Sequence, residues 1–170
     1  MIPNLSRQEF LDRFAGVYEH SPWIAEKCFD EGGHLKATRA IDLAGPFANQ
    51  VESAGPESQL LLLRAHPDLA GKLARKNALT HESSSEQAGA GLESCSEEEF
   101  NAFTTLNRRY REKFGFPFIL AVKGRQRAEI LENFRARIDN DLACEFCEAL
   151  NQVHQIARLR LQAIDGAGTT

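Results

Sequence analysis

The sequence has no run of about 18 apolar residues, so nothing in it reads as a membrane-spanning helix. Its first residues, Met1-Ile2-Pro3-Asn4, lack the basic and apolar regions of a secretory signal. Its last residues, Gly166-Ala167-Gly168-Thr169-Thr170, do not spell a peroxisomal address. A cytoplasmic location is therefore expected. Basic charge is not in excess either. The chain has 20 Lys and Arg against 24 Asp and Glu, for a net charge of −4. Neutralising phosphates needs a concentrated basic face, so nucleic acid is not the expected partner, and neither is a membrane. The short run Arg108-Arg109-Tyr110-Arg111 reads as a solvated helical face.

Strand patterning is nearly missing. The one candidate, Phe116-Pro117-Phe118-Ile119-Leu120-Ala121-Val122, is short and lies between Gly115 and Gly124. It has no partner strand, so it reads as an extended connector buried between helices. Cysteine is sparse, with Cys28, Cys95, Cys144 and Cys147. Cys144 and Cys147 form a CxxC, but inside a helical pattern and without a second pair or a nearby His. Partly buried structural thiols are expected rather than a metal or redox centre. The sequence also lacks internal repeats, a phosphate loop, HExxH and a Ser-His-Asp order.

What the chain does have is helix. Its 170 residues, 42% of them hydrophobic and 26% charged, suit one domain with a real core. Ser6 to Glu9 is a capping box, followed by Phe10, Phe14, Val17 and Tyr18 at helical spacing. Ser21-Pro22 opens a second helix that stops by Gly32-Gly33. A third pattern covers about residues 36 to 54, with Pro46 as a kink or break. After Gly55-Pro56, a helix carrying Leu60 to Leu63 runs toward His66. The segment Asn77 to Ser96 is polar and reads as a long functional loop, with Ser83-x-x-Glu86 as a capping box inside it. Ser96 to Glu99 opens a helix that ends near Gly115, and two more cover about 125 to 138 and 140 to 163. The expected fold is all-α: a single compact helical bundle of about eight helices over residues 1–165, no significant sheet, and a flexible tail at 166–170.

Three places break this pattern. His66-Pro67-Asp68 follows the apolar run directly. Pro67 pushes His66 out of helical backbone space, which presents the imidazole at a helix end. Histidine is the side chain most easily poised for proton transfer near neutral pH, although a His bonded to nearby backbone is the plainer reading. Ser83 and Glu86 mark a helix start, whose free N–H groups suit an anion. Arg160 lies four residues after Ile156 and seven after Val153, so it shares the apolar stripe of the last helix. A charge there either snorkels out or meets an anion. Arg158 projects from a more exposed face. Together these residues suggest acid/base work on a small carboxylate. The rival reading is a non-catalytic helical module that binds ureides or peptides.

In order, these motifs resemble one family. His66-Pro67-Asp68-Leu69-Ala70-Gly71-Lys72, Ser83-x-x-Glu86-Gln87-x-x-Ala90-Gly91-Leu92 and Phe116-Pro117-Phe118-Ile119 are similar to 2-oxo-4-hydroxy-4-carboxy-5-ureidoimidazoline (OHCU) decarboxylases of uric acid breakdown. Tyr18-Glu19-His20-Ser21-Pro22-Trp23 and Ile156-Ala157-x-x-Arg160-Leu161 match as well. The resemblance spans nearly the whole chain. It implies a helical bundle without metal or organic cofactor, acting on a small ureide to give (S)-allantoin and CO2. It implies His66, Glu86 and Arg160 as catalytic residues. It implies Pro67, Ser83, Ser84, Ser85, Glu86, Gln87, Phe118, Ile119, Leu120, Ala121 and Val122 around the substrate, with the connector supplying backbone groups. It also implies a homodimer, for which the amphipathic first helix offers a face.

Overall fold

The computed structural model describes residues 2–70 and 80–167. Among these the chain is all-α, with no strand. The helices are α1 (Arg7–Phe14), α2 (Trp23–Asp30), α3 (Ala44–Ser53), α4 (Gly55–Arg64), α5 (His81–Gly89), α6 (Glu97–Phe114), α7 (Arg127–Arg137) and α8 (Leu142–Ala167). The contacts divide the chain into two compact units. One comprises Met1–Ala65 with Val153–Thr170, the other His66–Gln152.

The first unit begins as its sequence dictates. Ser6 accepts the N–H of Glu9, and Glu9 returns a bond to the Ser6 N–H, which closes the capping box of α1. Phe10 and Phe14 turn inward from α1 and are buried within the unit, with ring centroids 4.8 Å apart. Phe47 of α3 meets Phe10 edge-on at 6.3 Å, and Val51, Leu62 and Leu63 of the same unit are buried as well. The pattern expected over 36 to 54 divides into a 3-10 turn, Ala40–Leu43, and α3. Pro46 falls in the first turn of α3, where a missing N–H costs nothing, so it does not break the helix. The C-terminal part of α8 lays Val153, Ala157 and Leu161 into this core. Asp165 caps the 3-10 turn by accepting the N–H groups of Ala40 (2.6 Å) and Ile41 (3.1 Å). The helix continues to Ala167; residues 168–170, the rest of the expected tail, lie outside the described residues.

The second unit is organised by Tyr110. Its ring packs on Phe114 (4.5 Å), Phe118 (5.4 Å), Phe134 (5.6 Å) and Phe116 (5.9 Å). Its hydroxyl donates to the carboxylate of Glu145, which is fully buried. Burial, and then the neighbouring carboxylate, push the Tyr110 hydroxyl well above its usual range, so it stays a donor. Arg137 Nε donates to the same carboxylate at 2.9 Å, and Asn140 Nδ2 reaches its other oxygen at 2.8 Å. Arg137 also donates to the carbonyl of Ile119 at 2.8 Å, and its guanidinium lies 4.5 Å from the Phe118 ring centre. The segment 116–122 is thus a non-helical connector, buried but for the half-buried Ala121 and tied down by a buried ionic node.

The exposed arginines 108, 109 and 111 confirm the solvated face of α6. The thiols differ from expectation. Cys144 and Cys147 are exposed on the first turns of α8, because their positions fall away from the stripe that carries Glu145 and Ala149. Cys28 is the buried one, and burial, with Glu31 nearby, pushes its thiol up to about 11.

Two outcomes follow. Glu145→Leu leaves Arg137 buried without its counter-charge and should cost about 3–5 kcal/mol in urea unfolding, whereas Tyr110→Phe should cost about 1–3 kcal/mol. Iodoacetamide at pH 8, read by peptide mass spectrometry, should label Cys144 and Cys147 rapidly and spare Cys28 until the chain unfolds. Labelling of Cys28 at the rate of the exposed pair would contradict its placement in the core.

Candidate active site

Helix α4 ends at Arg64, Ala65 caps it, and His66 follows outside helical structure, as Pro67 requires. His66 is 6% exposed. Residues 68 to 70 are gripped by side chains from two helices. Asp68 pairs with Arg111 Nε of α6 at 2.8 Å. The carbonyl of Leu69 accepts from Asn107 Nδ2 of α6 at 2.9 Å. The N–H of Ala70 donates to Gln87 Oε1 at 3.0 Å, and Gln87 Nε2 returns to the carbonyl of Asp68 at 3.3 Å. Ala70 sits at φ +49°, a conformation that L residues rarely adopt and that this grip holds in place. Gly71 and Lys72, the end of this motif, lie outside the described residues.

The polar segment is not a loop where it is described. It forms α5, and its N-cap is Thr80 rather than Ser83. Thr80 Oγ1 accepts the N–H of Ser83 at 3.3 Å, which places Ser83 in the first turn. The reason the sequence misleads is plain. This helix carries small and polar side chains, so hydrophobic periodicity is weak, and two Ser/Thr positions compete for the cap. The helical register then sorts the expected contacts. Ser83 and Gln87 are buried on one face, Ser84 and Glu86 are half-buried, and Ser85 is exposed. The register therefore gives Ser85 a different outlook from Ser83 and Gln87. Gln87, expected against substrate, spends both amide atoms on the loop after His66.

The connector also differs in detail from a plain row of substrate-facing backbone groups. The carbonyl of Ile119 is taken by Arg137, the N–H of Ala121 by Gln152 Oε1 (3.0 Å) and its carbonyl by Arg125 (3.1 Å). The carbonyl of Val122 accepts from the N–H of Arg125 at 3.0 Å. Among the described residues, no hydrogen bond engages the backbone of Phe118 or Leu120, both of which are buried. Among the described residues the same holds for the backbone of Phe116, the carbonyl of Pro117 and the N–H groups of Ile119 and Val122.

Arg160 belongs to the first unit. It is 7% exposed, on the core face of α8 as its spacing requires, while Arg158 is exposed. Its Nη1 donates to Glu19 Oε2 at 2.9 Å and lies 3.4 Å from the carbonyls of Gly16 and Val17. Sequence reasoning assigned no task to Glu19, Asn107, Arg111, Arg137 or Glu145. A signal existed for several of them. Asn107 shares the stripe of Phe103 and Tyr110, Arg137 that of Ile130 and Phe134, and Glu145 that of Ala149 and Val153. Each is a polar residue on an apolar face, the same anomaly that singled out Arg160. Among the described residues, no group of three or more His, Cys, Asp or Glu is placed to hold a metal.

Comparison with known proteins accounts for this set. The family described as OHCU decarboxylase matches residues 3–162. The 2-oxo-4-hydroxy-4-carboxy-5-ureidoimidazoline decarboxylase of Halalkalicoccus jeotgali is 42% identical over 93% of this chain and 86% of its own length. The protein of the same name from Haloferax volcanii is 40% identical over 94% of this chain and 91% of its own. Among solved structures, (S)-allantoin synthase superposes with a TM-score of 0.76 at 29% identity, covering 96% of this chain and 52% of that one. An OHCU decarboxylase crystallised in the presence of (S)-allantoin shares the fold, with a TM-score of 0.66 at 20% identity over 88% of this chain and 95% of that one. With the match running through His66-Pro67-Asp68, the α5 motif, the connector and Arg160, the chain belongs to the OHCU decarboxylase family.

Proposed function

We propose that this chain decarboxylates OHCU to (S)-allantoin and CO2 in uric acid degradation, in the cytoplasm and without a cofactor. The observation that carries the reading is His66: a buried imidazole at a helix break, on a loop clamped at successive residues, inside a family match that spans residues 3–162.

The chemistry suits such a site. In OHCU one ring carbon carries a hydroxyl and a carboxylate, and the adjacent ring carbon is an imine. When the bond to CO2 breaks, its electron pair flows into the C=N bond, and the imine nitrogen takes a proton. The enol so formed loses its hydroxyl proton to become a carbonyl, and the neighbouring carbon gains one. Delivery to one face sets the S configuration. The substrate carries its own electron sink, so the protein's tasks are to hold the ring and to manage protons.

His66 is the group we assign to the protons at the hydroxyl and carboxylate. Glu86, half-buried on α5, orients ring or ureido N–H groups, which a carboxylate accepts well. Ser83 shares its helix. Arg160 binds a carbonyl or anionic oxygen. The backbone of Phe118 and Leu120 offers donors and acceptors to the ring's amide edge, and Pro67 and Phe118 exclude water, which strengthens every polar contact. Gln87, beside its expected substrate contact, supports the His66 loop through its bonds to Ala70 and Asp68.

The decisive assay follows (S)-allantoin by circular dichroism on freshly generated OHCU. His66→Asn should lower kcat by about 10²–10⁴-fold in a folded protein; a rate near wild type would remove His66 from the centre of the reaction. Gln87→Leu should cost about 1–3 kcal/mol of stability by leaving the buried Ala70 N–H unpaired, and should lower kcat/KM as the loop relaxes. Full activity in that variant would show that the clamp does not matter to His66.

A further inference from the structure

We propose that Cys144 and Cys147 form a redox-sensitive thiol pair: a low-molecular-weight disulfide oxidises them to a Cys144–Cys147 bond, and that bond loosens the Glu145 node that ties down the connector 116–122. Only the effect on turnover rests on the reading above; the thiol site and its effect on the connector do not.

Both thiols are exposed and lie three positions apart on α8, so they are neighbours one turn apart on the helix surface. The start of the helix is open around them, with residues 141 to 144 all exposed. Such a pair meets a disulfide from solution without unfolding. The thiolate of one cysteine attacks a sulfur of glutathione disulfide, which forms a mixed disulfide and releases one glutathione thiolate. The second cysteine thiolate attacks the protein-bound sulfur of that mixed disulfide, closes the Cys144–Cys147 bond and releases the second glutathione. In all, two protein thiols lose two electrons and two protons, and glutathione disulfide is reduced to two glutathione thiols. Cys28 does not compete, because it is buried and its thiol is pushed up to about 11.

The new bond does not fit the helix as it stands. Cβ atoms one helical turn apart are separated by about 5–6 Å, whereas a disulfide holds them at about 3.5–4.5 Å. The turn has to deform, and that turn carries the node. The N–H of Cys144 donates to Asp141 Oδ1 at 2.9 Å, and the N–H of Glu145 donates to the Asp141 carbonyl at 3.0 Å. Glu145 stands between the two cysteines in sequence, on the buried side of the same turn. Its carboxylate accepts from Tyr110, Arg137 and Asn140, and Arg137 also holds the Ile119 carbonyl at 2.8 Å. Every link from Cys144 to the connector therefore lies within one compact unit. Strain in the bond also makes it easy to reduce, so the change reverses when the thiol pool recovers.

The test equilibrates wild type and the Cys144→Ser, Cys147→Ser and Cys144→Ser/Cys147→Ser variants in buffers of set reduced and oxidised glutathione. Intact mass, hydrogen exchange of the connector peptide and (S)-allantoin formation from fresh OHCU are read on each. Oxidised wild type should lose two hydrogens and retain no glutathione. Amide exchange in the connector should then quicken about tenfold or more, and kcat/KM should fall about tenfold. Dithiothreitol should restore all three. Each single variant should retain one glutathione with its connector still protected, because no bond closes across the turn. The double variant should match reduced wild type in every buffer. Glutathione retained on both cysteines of wild type, with no closure between them, would overturn the proposal. So would closure with unchanged exchange in the connector, or equally fast exchange in the oxidised double variant. Faster exchange with unchanged kcat/KM would leave the thiol pair standing and remove the connector from the substrate site. No allantoin from reduced wild type would sink the proposed reaction, and the mass and exchange measurements would still decide the thiol pair.

Discussion

A charge on the core stripe of a helix must find a partner, and two such charges on α8 organise the parts of this protein that matter. Glu145 and Arg160 lie roughly four turns apart on the stripe that also carries Ala149, Val153, Ile156 and Ala157. Each is buried, and each is answered within its own unit. Glu145 is met by Tyr110, Arg137 and Asn140, and Arg160 by Glu19 and two backbone carbonyls. Neither pairing is needed to fill space, since apolar residues fill the rest of the stripe. Both tie an irregular segment to a regular one: Arg137 carries the connector through the Ile119 carbonyl, and Glu19 carries the turn after α1. Irregular backbone must place its hydrogen bonds somewhere, and in this fold buried side chains take them.

The loop after His66 follows the same logic with neutral groups. Its backbone carbonyls and N–H are answered by Asn107 and Gln87, and its one carboxylate by Arg111. The three come from helices rather than loops, so the geometry around His66 is inherited from rigid elements. That suits the proton work proposed for His66, which would depend on close placement and on which nitrogen carries the proton.

Much of this was readable beforehand, and the limits are physical. Strong periodicity and caps gave α1, α2, α4 and α6 correctly, because an apolar face and a Ser-x-x-Glu box are local facts of the chain. The connector was legible from its composition and flanking glycines. The Arg160 anomaly was legible from spacing, and the structure places that residue in the core. What could not be read was partnership. Glu19 precedes Arg160 by most of the chain, and nothing local says that the two meet. For α5 the failure was of another kind. Small polar side chains give little periodicity, and Thr80 and Ser83 offer equally good caps three residues apart, so the sequence alone could not choose between them. The exposure of Cys144 and Cys147 was misjudged because the apolar stripe of α8 begins at Glu145, a charged residue that periodicity discounts.

The nature of the reaction explains why positioning dominates this design. A decarboxylation needs somewhere for the electron pair to go, and most carboxylates require a borrowed sink. OHCU has an imine next to the breaking bond, so the protein need not supply electronic machinery. The remaining barrier lies in alignment: the carboxylate must stand across the plane of the C=N bond, and a proton must arrive on one face. Those are demands on orientation, which contributes to rate only when the orienting groups are themselves immobile. Buried, doubly tied side chains are immobile in this sense, and exposed ones are not. It follows that the polar residues worth most to catalysis here need not all touch the substrate. Gln87 and Asn107 hold the loop that follows His66, where burial makes each hydrogen bond strong and each misplacement costly.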